Sequence, residues 1–237
     1  MDRPHGTNSG LGVGAYSLRD ASFILHIPYK KLRRWAVGYW YAAKDEDRFS
    51  EAVVAGDDEL EERILSFHEL VELAVIAFFR SQGVPLGVVR AARARAGELF
   101  GTRLPFATKS LKTDGCGIFS DLARIDDVPP GRLHIELSKG QTAYSELVEP
   151  FFRKKLDFAP DGLASTYWPL GRRHPVLLDA SRSFGRPIVQ RTGTPTFVLY
   201  QMRQAGEEPA RLARWYQITL AELNAALEYE ESLRAAA

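Results

Sequence analysis

The feature that most constrains this chain is residues 16–35, YSLRDASFILHIPYKKLRRW. Ser17, with Asp20 three positions on, has the spacing of a capping box. Leu18, Ala21, Ile24 and Leu25 then recur at helical intervals. Ile27 precedes Pro28 and is disfavoured from helical geometry, so this helix should stop near His26. Pro28 suits the first turn of a second helix, which should run to about Val37, before Gly38. Two short helices joined by a tight turn, the second strongly basic, follow the helix-turn-helix plan.

The second helix carries Lys30, Lys31, Arg33 and Arg34 within five residues. At about 100° per residue, Lys30, Arg33 and Arg34 share a face, while Leu32 and Trp35 turn towards the first helix. Long cations match phosphates, and arginine grips a guanine edge with two hydrogen bonds. Tyr29, near the helix start, suits a phosphate or a thymine methyl. A solvated basic face on an ordinary helix is the plain alternative. The capped helix and short turn before it favour DNA, with Ser17, Tyr29, Lys30, Lys31, Arg33, Arg34 and Tyr39 as candidate contacts. Trp35 is expected in the core. Tyr39, Trp40 and Tyr41 fit either core packing or contact with a nucleic-acid backbone. The acidic stretch 44–62 reads as a loop with a short strand at Ala52 to Ala55, the wing or its edge, or simply as a solubilising loop.

Further on, Ser66 and Glu69 form a second capping box, opening an apolar helix that Gly83 should end. LGVVRAARARAGELF reads as another amphipathic helix. In the middle of the chain, Thr113-Asp114-Gly115 and Pro129-Pro130-Gly131 are turn signals. Leu133, Ile135 and Leu137 alternate as in a half-exposed strand, and Ile118 to Ile125 is a candidate second one. Tyr144 to Leu156 looks helical. From Val176 the helix punctuation returns: Thr194-Pro195 opens one helix that Gly206 closes, Pro209 opens a second, and Thr219 with Glu222 caps a third. The expected fold is therefore mainly α. It comprises a flexible tail at 1–14, a winged helix-turn-helix domain at 15–104, a small α+β linker segment at 105–175, and a C-terminal three-helix domain at 176–237.

Net charge is only +1, so any nucleic-acid binding must come from a local patch. A single cysteine, Cys116, excludes an internal disulfide and any multi-cysteine zinc site, and fits a reducing cytoplasm. Its position between Gly115 and Gly117 suits a passive thiol in a turn better than a reactive one. The five histidines lack metal-ligand spacing, and no Gly-x-Ser-x-Gly elbow is present. Gly10, Gly12 and Gly14 follow no strand and precede no Lys-Ser or Lys-Thr, so a phosphate loop is not supported. No apolar run reaches the length of a membrane span. The expectation is a non-enzyme without cofactor or metal.

Residues 16–35 resemble the opening of MerR-type regulators, and LSFHELVELAVIAFFRSQGVPLGVVRAARARA is similar to the part of that pattern packed behind the DNA-reading unit. GRPIVQRTGTPTFVLYQMRQAGEEPARLARWYQITLAELNAALEYEESL resembles a small helical domain, catalogued as of unknown function, found in bacterial antitoxins paired with PIN-like ribonuclease toxins. Together with SELVEPFFRKKLDF and YWPLGRRHPVLLD, the two ends resemble the longer VapB-type antitoxins. The chain departs from the small-domain pattern at Pro195, where many relatives carry an arginine after Gly-Thr, which argues against a DNA contact through that position. The resemblance implies a type II antitoxin that binds and neutralises a PIN-type ribonuclease and represses its own operon by binding operator DNA. Phe197, Tyr200, Trp215 and Tyr216 would then be available for toxin or dimer contact, although each also suits the core. A homodimer is expected, because one short helix reads few bases. The competing readings are a MerR-like regulator sensing a small ligand and an interaction adaptor with no DNA role.

Overall fold

The structure, a computed structural model, describes residues 14–43, 46–54, 63–122 and 141–235. The Gly-rich tail, most of the acidic stretch and the expected strand around Ile135 lie outside them.

β1 (Tyr16–Ser17) leads directly into α1 (Leu18–Leu25) and α2 (Tyr29–Val37). Ser17 and Asp20 form the reciprocal capping box that their spacing predicts. The end of α1 is sharp because His26 takes a left-handed conformation, φ 51°, and the Ser22 hydroxyl donates to the Ile27 carbonyl at 2.7 Å. β2 (Tyr39–Ala43) and β3 (Glu46–Ser50) then form an antiparallel hairpin. The strand expected at Ala52 to Ala55 is not found over 52–54. There the chain turns back, and the Val53 and Val54 amides donate to the Trp35 carbonyl while both side chains are buried. β4 (Ile64–Leu65) pairs with β1. α3 (Phe67–Ser81), capped by Ser66 and Glu69, and α4 (Leu86–Phe100) follow as expected.

The middle of the chain departs from expectation. Thr113-Asp114-Gly115 is not a turn, and no strand begins at Ile118: both lie in α5 (Lys109–Leu122). Leu111, Gly115 and Ile118, spaced i, i+4, i+7, are all buried. That stripe packs on α4 and on α6 (Gln141–Lys155), and tertiary burial overrides the local turn preference. After α6 comes a four-stranded antiparallel sheet in sequential order: β5 (Leu156–Phe158), β6 (Ala164–Tyr167), β7 (Val176–Asp179) and β8 (Pro187–Val189). Val176, Leu177 and Leu178 are buried on both faces, so β7 shows no alternation. The division expected at 175/176 falls inside this sheet.

α7 (Thr196–Gln204), α8 (Pro209–Trp215) and α9 (Leu220–Ala235) close the chain, α9 opening on the predicted Thr219–Glu222 box. They share a core of Leu199, Leu212, Ile218, Leu223, Ala226 and Tyr229 with Val176 and Val189 of the sheet. The two ends of the chain touch. The buried Tyr16 hydroxyl donates to the Gly185 carbonyl at 2.6 Å, and α1 packs on α9. The fold is mainly α with small sheets.

Candidate nucleic-acid interface

α2 divides as its periodicity requires. Leu32, Trp35 and Ala36 are buried, while Tyr29, Lys30, Lys31, Arg33 and Arg34 are exposed. No acidic residue lies within α2, and no carboxylate of the described residues forms an ion pair with any of its four cations. Aromatic faces hold two of them instead. Lys31 Nζ lies 5.0 Å from the Trp35 ring centre and the Arg34 guanidinium 4.7 Å from that of Tyr39. The Arg19 guanidinium of α1 sits 5.9 Å from the Tyr29 ring. An aromatic face orients a cation without neutralising it, so this surface keeps its full positive charge.

The hairpin stands beside these cations. Trp40 pairs across the strands with Phe49, their rings 5.2 Å apart, and both are exposed, Trp40 at 69%. Tyr41 is also exposed and Tyr39 half-buried. A cleft of about 520 Å³ separates helix from hairpin, with Lys30, Arg33 and Arg34 on one side and Tyr39, Trp40 and Phe49 on the other. Cations facing aromatic rings across a cleft suit a nucleic-acid strand, whose phosphates attract cations and whose bases stack on aromatic faces.

Three devices fix the hairpin on the helix. Gly38, at φ 84°, allows closest approach: a Cβ there would lie 2.6 Å from both the Ser50 carbonyl oxygen and Phe49 Cζ. Arg63, only 5% exposed, donates to the carbonyls of Ala36 and Val54 and to Glu69 at 2.5 Å, tying the end of α2 to the N-terminus of α3. Arg90 of α4 donates to Ser50 Oγ at 3.0 Å and to the Glu51 carbonyl at 2.5 Å. Arg63 and Arg90 lie well outside the basic cluster. The only sequence signal for Arg63 is a lone cation between an acidic stretch and an apolar helix.

The expected contact residues fare differently. Tyr29, Lys30, Lys31, Arg33, Arg34 and Tyr39 fall around α2 and the cleft. The Ser17 hydroxyl is spent on its cap, accepting from the Asp20 amide at 3.0 Å and donating to its carboxylate at 2.7 Å. At the other end, Trp215 is exposed, whereas Phe197, Tyr200 and Tyr216 are half-buried. The Arg186 guanidinium covers Phe197 at 5.1 Å and that of Arg234 covers Tyr200 at 3.9 Å. The Tyr216 hydroxyl contacts Met202 Sδ at 3.0 Å. Among the described residues no cluster of histidine, cysteine and carboxylate side chains is arranged to hold a metal, and no helix is long and apolar enough to cross a membrane.

Comparison with known proteins places the two ends together in a relative. Residues 177–229 match a family described as "Protein of unknown function (DUF433)". This is the part of the chain that resembles the small domain of unknown function. A Mycobacterium tuberculosis protein named "Putative antitoxin VapB45" is 27% identical over 232 residues, spanning 91% of this chain and 93% of its own length. The X-ray crystal structure of Rv2018 from the same organism superposes with a TM-score of 0.64 at 23% identity, covering 90% of this chain and 96% of that one. The last likeness is one of fold. The chain is thus similar along nearly all its length to an antitoxin-like protein, with a matched C-terminal domain.

Proposed function

We propose that this chain is the antitoxin of a type II toxin–antitoxin pair: it binds and neutralises a PIN-type ribonuclease and represses its own operon. In this reading α1 and α2 are a helix-turn-helix of the MerR kind and the hairpin is its wing. α2 enters the major groove, Arg33 and Arg34 reach base edges or phosphates, and the flanking backbone runs between helix and wing. The observation that carries the DNA role is the set of four exposed cations on α2 without a carboxylate partner among the described residues, three of them facing an aromatic hairpin across a cleft. The toxin role is supported by the likeness over 91% of the chain to a protein named as an antitoxin.

The experiment is co-expression with the product of the adjacent gene, assayed as a ribonuclease. Co-purification, loss of nuclease activity in the complex and repression of the shared promoter are the expected results. A nuclease that stays active and separate refutes the toxin role; an unrepressed promoter refutes the operator role. Truncation near Arg173 is an unsuitable test of which end grips the toxin. It removes β7, β8 and Gly185, and so strips the sheet and the Tyr16 hydroxyl of their partners. An exposed substitution such as Trp215→Ala is expected to leave the fold intact and is the better test.

A further inference from the structure

Between β7 and β8 three successive residues have positive φ: Ser183 at 48°, Phe184 at 55° and Gly185 at 74°. Residues with a Cβ seldom adopt this conformation. It persists here because the turn is held from both ends of the chain. The Gly185 amide donates to the Arg182 carbonyl at 2.9 Å, the Arg186 amide to that of Ser183 at 3.1 Å, and the Gly185 carbonyl accepts from the buried Tyr16 hydroxyl. The product of this strain is a phenyl ring aimed into solvent: Phe184 is 71% exposed. Arg182 and Arg186 flank it, and neither forms an ion pair with a carboxylate of the described residues.

Beside this knob lies a socket. A cleft of about 320 Å³ opens where α1, α7 and α9 meet, lined by the apolar groups of Tyr16, Ile24, Phe197 and Leu233, with the carboxylate of Asp20; that of Glu230 also borders it but is held by Thr196 and Arg234. That volume falls at the lower end of the roughly 300–1,000 Å³ of ligand pockets, ample for a phenyl ring. Asp20 is exposed, and only its Oδ2 is used by the cap of α1; Oδ1 is free among the described residues. Tyr16 and Arg186 belong to both features, so a cationic aromatic knob and an acid-bearing apolar socket adjoin on one face.

We propose that this face pairs with a second copy of the chain across a two-fold axis, Phe184 of each copy entering the socket of the other and Arg182 or Arg186 meeting Asp20. A patch whose neighbour is its own complement is what an isologous interface requires, and the contact is then made twice. The ring is already fixed by the strained turn, so little freedom is lost on association. The pairing would supply the two copies that a two-half-site operator needs, but it stands without the operator reading and is tested without DNA.

The test is sedimentation equilibrium of the full chain. The wild type is expected to be a dimer. Phe184→Gly removes the knob while giving the turn the residue its φ prefers. At concentrations where both proteins are monomeric its thermal midpoint should not fall, while its dimer dissociation constant rises about thirty-fold or more, as for an aromatic hot spot. Arg186→Glu, which sets a carboxylate against Asp20, should also weaken the dimer. A monomeric wild type, or a Phe184→Gly protein that dimerises as tightly as the wild type, overturns the proposal. A tight dimer that ignores promoter DNA would instead overturn the operator reading and leave this one standing.

Discussion

The basic helix α2 and the C-terminal end of this molecule use their cations differently. At the C-terminal end three arginines are neutralised: Arg191 pairs with Glu222 at 3.0 Å, Arg211 with Glu207 at 2.9 Å and Arg234 with Glu230 at 3.2 Å. On α2 the four cations have no such partner among the described residues, and two of them, Lys31 and Arg34, are steadied by aromatic rings instead. Cation–π contacts occur at both ends, since Arg211 lies 5.2 Å from the Trp215 ring centre and Arg234 covers Tyr200. The carboxylate is the difference. Paired surface cations are close to electrically silent and help hold their own unit together. Unpaired, oriented cations keep a field that an anionic partner can use. A net charge of +1 for the whole chain conceals this division.

The comparison can be broken at its structural root. Arg63 is the N-terminal cation that is buried and paired. Arg63→Met should cost about 3–5 kcal/mol in urea unfolding, because Glu69 and two carbonyls lose a buried donor. Arg33→Ala with Arg34→Ala should leave stability within about 0.5 kcal/mol, since both are exposed. The same pair should weaken operator binding about tenfold to a hundredfold at moderate salt, measured by fluorescence anisotropy. Gly38→Ala separates geometry from charge. It leaves every cation in place but forces the hairpin off α2, with an expected loss of more than about 1 kcal/mol in stability and a severalfold loss of operator affinity. The smallest effect lies at the other end. Arg191 and the Thr219 amide lower the Glu222 carboxyl to about 2 from an ordinary 4.5. A depressed carboxyl stabilises the fold above its unfolded value and ceases to as pH falls through the folded one. Thermal midpoints of wild type and Glu222→Gln should therefore differ above pH 4.5 and converge towards pH 2.

Much of the architecture was written in local chemistry. The three capping boxes at Ser17, Ser66 and Thr219 open helices where their spacing says, whereas the strand expected at Ala52 to Ala55 is replaced by a hairpin at 39–50. Local signals failed where tertiary contact decides. Gly115 reads as a turn former, yet it lies in α5 because the stripe with Leu111 and Ile118 packs on α4 and α6. β7 is buried on both faces and β8 is three residues long, so neither shows alternation, and the sheet that joins the two halves was not visible. At the candidate interface the exposed cations of α2 were legible from their helical spacing. Arg63, Arg90 and the approach at Gly38 were not, because each acts on a backbone group distant in sequence. Phe184 is harder still: a strained, exposed phenylalanine has no sequence signature.

The most direct test of the central claim is the salt dependence of binding to the chain's own promoter DNA. The logarithm of the association constant is plotted against the logarithm of salt concentration for three proteins: wild type, Arg33→Ala with Arg34→Ala, and Arg211→Ala. Each phosphate contact contributes about 0.9 to the slope. The wild type should show a steep negative slope, the α2 variant a slope shallower by about two if both contacts are to phosphate, and the Arg211 variant the wild-type slope. Equal slopes for wild type and α2 variant, or a loss as large from Arg211 as from α2, would contradict the account.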